Sequence, residues 1–302
     1  MWFAGVPLLS GCPTHGPQTE ACVVQGTVPT CGLQGGGGLL ATALWDGGVA
    51  ADGGVTNGLL DAATCQALCT CAPQTSYCQV VDSSLVECRF GCVGGRAPPG
   101  LRQLSGVDAS PGSWLARMAE LEAAAVHAFL HLARELDAHR LPRFAAAALE
   151  AAGHERRHAT QVTALALRHG HCPVAPDVGT SEVRSLEALA LDNAGEGCGR
   201  ELFGAVLNAH QGRVAGDPRV AETMGAIAVD EAGHAGLSLE LAAELMPRLT
   251  VAQRRRAREA QAEVLTSLAA DEVAAPARAA LGLMDRAQAT ATARRLLDER
   301  RL

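Results

Sequence analysis

Apolar residues recur every three to four positions from about residue 113 onward, a period that predicts a run of long amphipathic helices. Helix one is expected over 113–138. Helix two runs from Pro142 to His169 and is closed by Gly170 and Pro173; helix three runs from about Ser185 to Gln211. Asp217-Pro218 pairs a capping residue with Pro at the first helical position and opens helix four, which continues to Met246 before Pro247. Thr250 opens a fifth helix, with Gln253 completing a capping box, and a last helix follows Pro276. Links one-to-two and three-to-four are short, which predicts two antiparallel hairpins. The link over 170–184 can span roughly 50 Å when extended, enough to cross the length of a ~25-residue helix. The expected fold class is therefore all-α, a four-helix bundle over 113–246 with extra C-terminal helices.

The first 110 residues lack this period. Nine of the eleven cysteines fall there: Cys12, Cys22, Cys31, Cys65, Cys69, Cys71, Cys78, Cys88 and Cys92. Their irregular spacing in a Gly-rich stretch reads as a disulfide framework rather than paired zinc knuckles, and so as an oxidising compartment. Leu9-Ser10-Gly11-Cys12, behind a short apolar run, resembles the lipobox of a bacterial lipoprotein signal, in which the Cys is lipidated. Setting Cys12 aside leaves an even ten, including Cys172 and Cys198, which could pair with each other. Three regions follow: 1–12 as signal and lipobox, 13–110 as a disulfide segment and tether, and 111–302 as the helical body. The Gly-rich residues 33–60 read as turns in a flexible tether.

Charge removes some functions. The net charge is −7, and all 25 basic residues are Arg, which in an Ala- and Gly-rich chain reflects a GC-rich genome more than a binding surface. A mildly acidic chain lacks the basic footprint of a nucleic-acid partner. No apolar run reaches the roughly 18 residues of a membrane span, so a lipid on Cys12 would be the membrane contact.

The chemistry lies in carboxylates on apolar stripes. Helix one carries Glu122 among Leu115, Met118, Ala125, Phe129 and Leu132, whereas Glu120 shares a face with Arg117, His127 and His131 that reads as solvated. Helix two places Glu155 and His158 among Phe144, Ala148, Ala151 and Val162. Helix four places Glu231 and His234 among Val220, Met224, Ile227 and Leu241. Each Glu-x-x-His pair sits one turn apart on one face. Helix three offers two candidates: Glu196 on a bulky face with Leu189, Phe203 and Leu207, and Glu201 on a small-residue face with Ala190, Ala194, Gly197 and Ala205. Glu196 is preferred because it mirrors Glu122. With it, the halves repeat at similar spacings, 33 residues from Glu122 to Glu155 and 35 from Glu196 to Glu231. Four buried carboxylates would be costly alone; two divalent cations cancel them, and mixed oxygen and imidazole donors suit iron or manganese.

A Glu on helices one and three with Glu-x-x-His on helices two and four resembles the ferritin-like di-iron carboxylate superfamily over residues 113–246. The resemblance implies that Glu122, Glu155, His158, Glu196 or Glu201, Glu231 and His234 are ligands of two Fe ions (or Mn, or one of each), with Glu155 and Glu231 bridging. It implies that Asp230 orients a ligand His on the facing helix. It implies reaction with dioxygen or peroxide, fed by an electron donor or small-molecule substrate, in iron oxidation, peroxide reduction or substrate oxidation. The lone Tyr77 lies in the Cys-rich segment, away from the helices, which disfavours a tyrosyl-radical role. An extracytoplasmic, lipid-anchored address favours iron handling or oxidant defence.

Two alternatives compete. His154-Glu155-Arg156-Arg157-His158 is a literal HExxH, the zinc-protease helix, with His154 and His158 as ligands and Glu155 as base. That motif leaves Glu122, Glu231 and His234 unexplained. The other alternative is a non-catalytic bundle whose Glu and His pair with each other or with Arg200.

Overall fold

A computed structural model describes residues 30–31, 37–44, 77–82, 85–91, 96–98, 101–103, 110–179, 182–270, 275–300 and 302. Cys12, Cys22, Cys65, Cys69, Cys71 and Cys92, and with them the lipobox, lie outside the described residues. In the front segment β1 (Thr30–Cys31), β2 (Gly37–Leu44), β3 (Tyr77–Asp82) and β4 (Leu85–Gly91) form an antiparallel sheet of order β1-β2-β4-β3. Strand β2 falls inside the stretch read from sequence as a tether. The run Leu39-Leu40-Ala41-Thr42-Ala43-Leu44 is poor in strand-forming residues, and the pairing partner β4, with Val86 and Phe90, supplies what the local sequence does not.

The rest is mostly helical. Helix α1 (Pro111–Ala138) is capped by Ser110, whose hydroxyl accepts from the Ser113 amide, with Pro111 in the first turn. It turns through residues 139–141 into α2 (Pro142–Arg168). A crossover follows, pinned by the short pairing of β5 (Leu101–Gln103) with β6 (Asp177–Val178). The third helix is not uniform: α3 (Leu186–Asp192) passes into a π-helical stretch, Asn193–Glu201, before α4 (Leu202–Val214). Helix α5 (Pro218–Leu245) is capped by Asp217. Helix α6 (Val251–Ala270) is preceded by the reciprocal Thr250–Gln253 hydrogen bonds expected from sequence. The chain ends in α7 (Ala275–Leu281) and α8 (Arg286–Glu299), two helices where the sequence suggested one.

Helix α1 packs on α2, α4 on α5, and α2 on α5, while α6 covers the π-helical stretch. The α4–α5 crossing is close because Gly212 meets Gly225; a Cβ at 212 would lie 2.7 Å from the Gly225 Cα. Two apolar clusters form the core. One holds Leu115, Met118, Phe203, Leu207, Met224 and Ile227; the other holds Phe129, Leu132, Leu136, Phe144, Leu189 and Leu241. They occupy opposite ends of the helices, and the candidate carboxylates lie between them. No described helix is long and apolar enough to cross a membrane.

The face of α1 read as solvated is wet only at His127. Arg117, Glu120 and His131 are covered, as is Glu135 one turn further on. The cover is the crossover: the Val174 amide donates to Glu120 Oε1 at 3.0 Å, and Arg184 clasps Glu135. Helical periodicity identified these positions as polar, but only the path of the 169–185 segment decides that they are not wet.

Cys172 is disulfide-bonded, but not to Cys198, a free and buried thiol. The suggested Cys172–Cys198 bridge does not form because the Cys198 thiol is turned into the interior, donating to the Ser238 carbonyl at 3.4 Å. Burial pushes that thiol up to about 12, so it is inert at neutral pH.

Candidate metal centre

Four helices each send acidic or imidazole side chains into one layer. From α1 comes Glu122, from α2 Glu155 and His158, from the π-helical stretch Glu201, and from α5 Glu231 and His234; all six are buried. Their ligand atoms form two groups of four, each within 4.8 Å of one another: Glu122, Glu155, His158 and Glu231, and Glu155, Glu201, Glu231 and His234. Glu155 and Glu231 belong to both groups. His158 Nδ1 lies 3.3 Å from Glu231 Oε1 and 3.6 Å from Glu155 Oε2. His234 Nδ1 lies 3.1 Å from Glu155 Oε1 and 3.4 Å from Glu201 Oε2.

These contacts lack hydrogen-bond geometry. Glu122 Oε2, both oxygens of Glu155, both of Glu201, Glu231 Oε1 and Nδ1 of both His158 and His234 are buried without a hydrogen-bond partner. Orphaned polar atoms of this number are expensive in a packed interior unless an ion or water bridges them. Here the orphans converge on common points, as ligands do. Carboxylate oxygens with imidazole nitrogens, and no sulfur, form a donor set suited to Fe or Mn.

Electrostatics registers the same crowding. Burial, then the charges of Glu155 and Glu231, pushes Glu122 well above the usual carboxylate range. Burial and the charges of Glu155 and Glu201 push Glu231 to about 8. Burial opposes ionisation of Glu155 too, but the nearby His158 and His234 imidazoles outweigh it and hold Glu155 at about 2. The same proximity overcomes burial at the imidazoles, raising His158 to about 11 and His234 to about 10.

The structure brings together Glu122, Glu155, His158, Glu231 and His234, and takes Glu201 from helix three. Glu196, the preferred residue on sequence grounds, is elsewhere: its carboxylate accepts from Arg200 Nε and from the Ala97 amide, each at 2.9 Å. The cause is the π-helix. Its i→i+5 hydrogen bonds place an extra residue in the turn, so a helical wheel drawn at 3.6 residues per turn assigns the wrong face beyond Asn193. With Glu201 the second spacing becomes 30 residues, about as close to the first spacing as the 35 given by Glu196, so spacing does not separate the two candidates. No sequence signal marks the π turn beyond the small residues Ala194, Gly195, Gly197 and Gly199.

The π stretch is held from outside. Arg96, fully buried, donates to Asp192 Oδ2 at 3.1 Å and Asn193 Oδ1 at 3.0 Å, and Asn193 Nδ2 donates to the Ser238 carbonyl at 2.9 Å. Gly197 is where these elements meet, since a Cβ there would lie 2.4 Å from Ser238 Oγ and 2.7 Å from Arg96 Nη2. Gly197→Ala is expected to lower stability by about 1–3 kcal/mol through this overpacking. Chemical denaturation checks it; an unchanged midpoint would mean the π stretch yields freely.

Outside the cluster, Asp230 Oδ2 lies 3.1 Å from His158 Nε2, the orienting position expected for it. His154 is not a member of either group. Its Nδ1 lies 3.2 Å from His234 Nε2, with the rings stacked at 5.3 Å. The HExxH arrangement, which needs His154 and His158 converging on one ion, is not what α2 presents. Phe129 closes the layer on one side, its ring 5.0 Å from that of His234. The chain matches no family model, and no curated protein and no solved structure is detectably similar to it.

Proposed function

We propose that this chain is a ferritin-like di-metal carboxylate protein that holds two Fe or Mn ions and reacts with dioxygen or peroxide. The observation that carries the reading is the pair of overlapping four-residue groups whose inward atoms are all orphaned. Two short hairpins joined by a long crossover, with Glu on the first and third helices and Glu-x-x-His on the second and fourth, support the ferritin-like assignment.

Glu122 would serve one ion and Glu201 the other, while Glu155 and Glu231 would bridge. Bound together, such ions supply redox equivalents and open coordination positions for an oxygen species. The chain's own residues do the rest. Asp230 orients the His158 ring, the apolar clusters at both ends keep bulk water from the layer, and the two imidazoles give up their protons as cations bind. Fold does not choose among ferroxidase, peroxidase and oxygenase activity. Lipidation of Cys12 and an envelope location, part of the same proposal, favour iron handling or oxidant defence.

Elemental analysis of the purified chain is expected to find two Fe or Mn per chain, with the ion served by Glu122 lost in Glu122→Ala. The loaded protein should oxidise Fe²⁺ faster than buffer while consuming dioxygen or peroxide. One Zn per chain, kept in Glu122→Ala and lost in His154→Ala, would overturn the proposal in favour of a protease-like site.

A further inference from the structure

Both clustered imidazoles turn Nδ1 inward and Nε2 outward, and their outer nitrogens meet different groups. His158 Nε2 faces the Asp230 carboxylate at 3.1 Å; His234 Nε2 faces His154 Nδ1 at 3.2 Å. Asp230 and His154 hold equivalent places. Each immediately precedes the shared Glu of its helix, Glu231 and Glu155, and each reaches the His of the facing helix. At two otherwise matching positions the chain has a carboxylate once and an imidazole once.

This difference is transmitted to the inner nitrogens. An imidazole that offers Nδ1 to a cation carries its proton on Nε2 and donates from there. A carboxylate accepts that proton with a full negative charge, in a bond about twice as strong as a neutral one, and makes the ring a more basic ligand. A ring nitrogen accepts the same proton with a dipole only. Arg157 Nη2, also 3.1 Å from Asp230 Oδ2, does not cancel the effect, because Arg157 is more than half exposed and such pairs are weak. Nor does Asp230 hold His154 and so act on His234 through it: Asp230 Oδ1 is 3.8 Å from His154 Nδ1, beyond hydrogen-bond reach.

We propose that the two ion positions are unequal, the position built with Glu122 and His158 binding its cation about tenfold or more tightly than the position built with Glu201 and His234. The inequality rests on the di-metal function proposed above and makes His154 the positioning residue that sets the weaker half. The ion at the position built with Glu201 and His234 is then the first to be lost as the free cation is withdrawn.

The test uses the full chain stripped of metal and titrated with Mn²⁺, the free ion being followed by electron paramagnetic resonance. Glu201→Gln and Glu122→Gln isolate the two positions, so repulsion between ions does not enter the comparison. The expected result is Mn²⁺ binding about tenfold or more tightly in Glu201→Gln than in Glu122→Gln. Adding His154→Asp to Glu122→Gln should recover that difference, and adding Asp230→His to Glu201→Gln should abolish it. His154→Asp alone, which leaves all six cluster residues in place, should draw the two binding steps of the wild-type chain together. Equal affinities in the single variants, or no response to His154→Asp, would overturn the inequality while leaving a two-ion centre standing. A wild-type chain that takes up fewer than two Mn²⁺ would overturn the di-metal function itself.

Discussion

Replacing Glu135 by Gln is expected to lower the unfolding free energy by about 3–5 kcal/mol, a large effect for a residue outside the carboxylate layer. Glu135 is fully buried and receives Arg184 through two side-chain hydrogen bonds of 2.7 Å, one to each oxygen, and a third from the Arg184 amide at 2.9 Å. Arg184 continues to Asp192 Oδ1 at 2.8 Å, and Asp192 receives Arg96. One carboxylate therefore anchors the crossover, the start of the third helix and the strap at Arg96 to α1. The amide of Gln cannot match a bidentate, charge-assisted pair, and it leaves a largely buried guanidinium short of its counter-ion. The acid limb carries a second signature. Burial alone would raise Glu135, but its bonds from Arg184 and His131 win and hold it below the usual carboxylate range. A depressed carboxylate stabilises fully above its unfolded value of about 4.3 and loses that contribution as pH falls below it. Wild type should therefore lose more stability than Glu135→Gln between pH 7 and 3. Denaturant unfolding at both pH values checks the pair, and a cost below about 1 kcal/mol at pH 7 would show that the crossover is held by other contacts.

The helices were legible because their ends carry local chemistry. Pro142, Asp217-Pro218 and Thr250 with Gln253 act within a turn of where they stand, so sequence places those boundaries to a residue or two. Glu122, Glu155, His158, Glu231 and His234 were legible because each interrupts an apolar stripe on a regular helix. What escaped depends on non-local or non-ideal geometry. The choice of Glu201 over Glu196 turns on a π-helix, and the burial of Glu120 and Glu135 turns on the path of the crossover. The contact of His154 with His234 needs the crossing of α2 and α5, which no single helical wheel contains.

In the absence of metal, Glu231→Gln is expected to be more stable than wild type; in its presence the order should reverse. With its ions stripped by chelator, the layer would be frustrated. Glu231 is pushed to about 8 by burial and by Glu155 and Glu201, so its ionised form is disfavoured in the fold. A raised carboxylate contributes stability below its unfolded value and loses it as pH rises through the folded one. With chelator at pH 9, beyond that point, wild type carries the penalty and the uncharged Gln does not. The variant should lead by about 2–4 kcal/mol, less than the full linkage value because the neighbouring carboxylates and imidazoles relax together. At pH 5 the difference should shrink, since Glu231 is then protonated and resembles Gln. Saturating Mn²⁺ inverts the comparison. Each ion held at about a thousand times its dissociation constant adds about 4 kcal/mol to the wild-type fold, whereas Glu231→Gln lacks a donor common to both groups and gains little. Thermal unfolding of both chains with chelator and with Mn²⁺, at pH 5 and 9, gives the full square. A variant less stable than wild type under chelator at pH 9 would mean that the buried carboxylates stabilise the fold by themselves, and that the layer is a structural polar network with no need of ions.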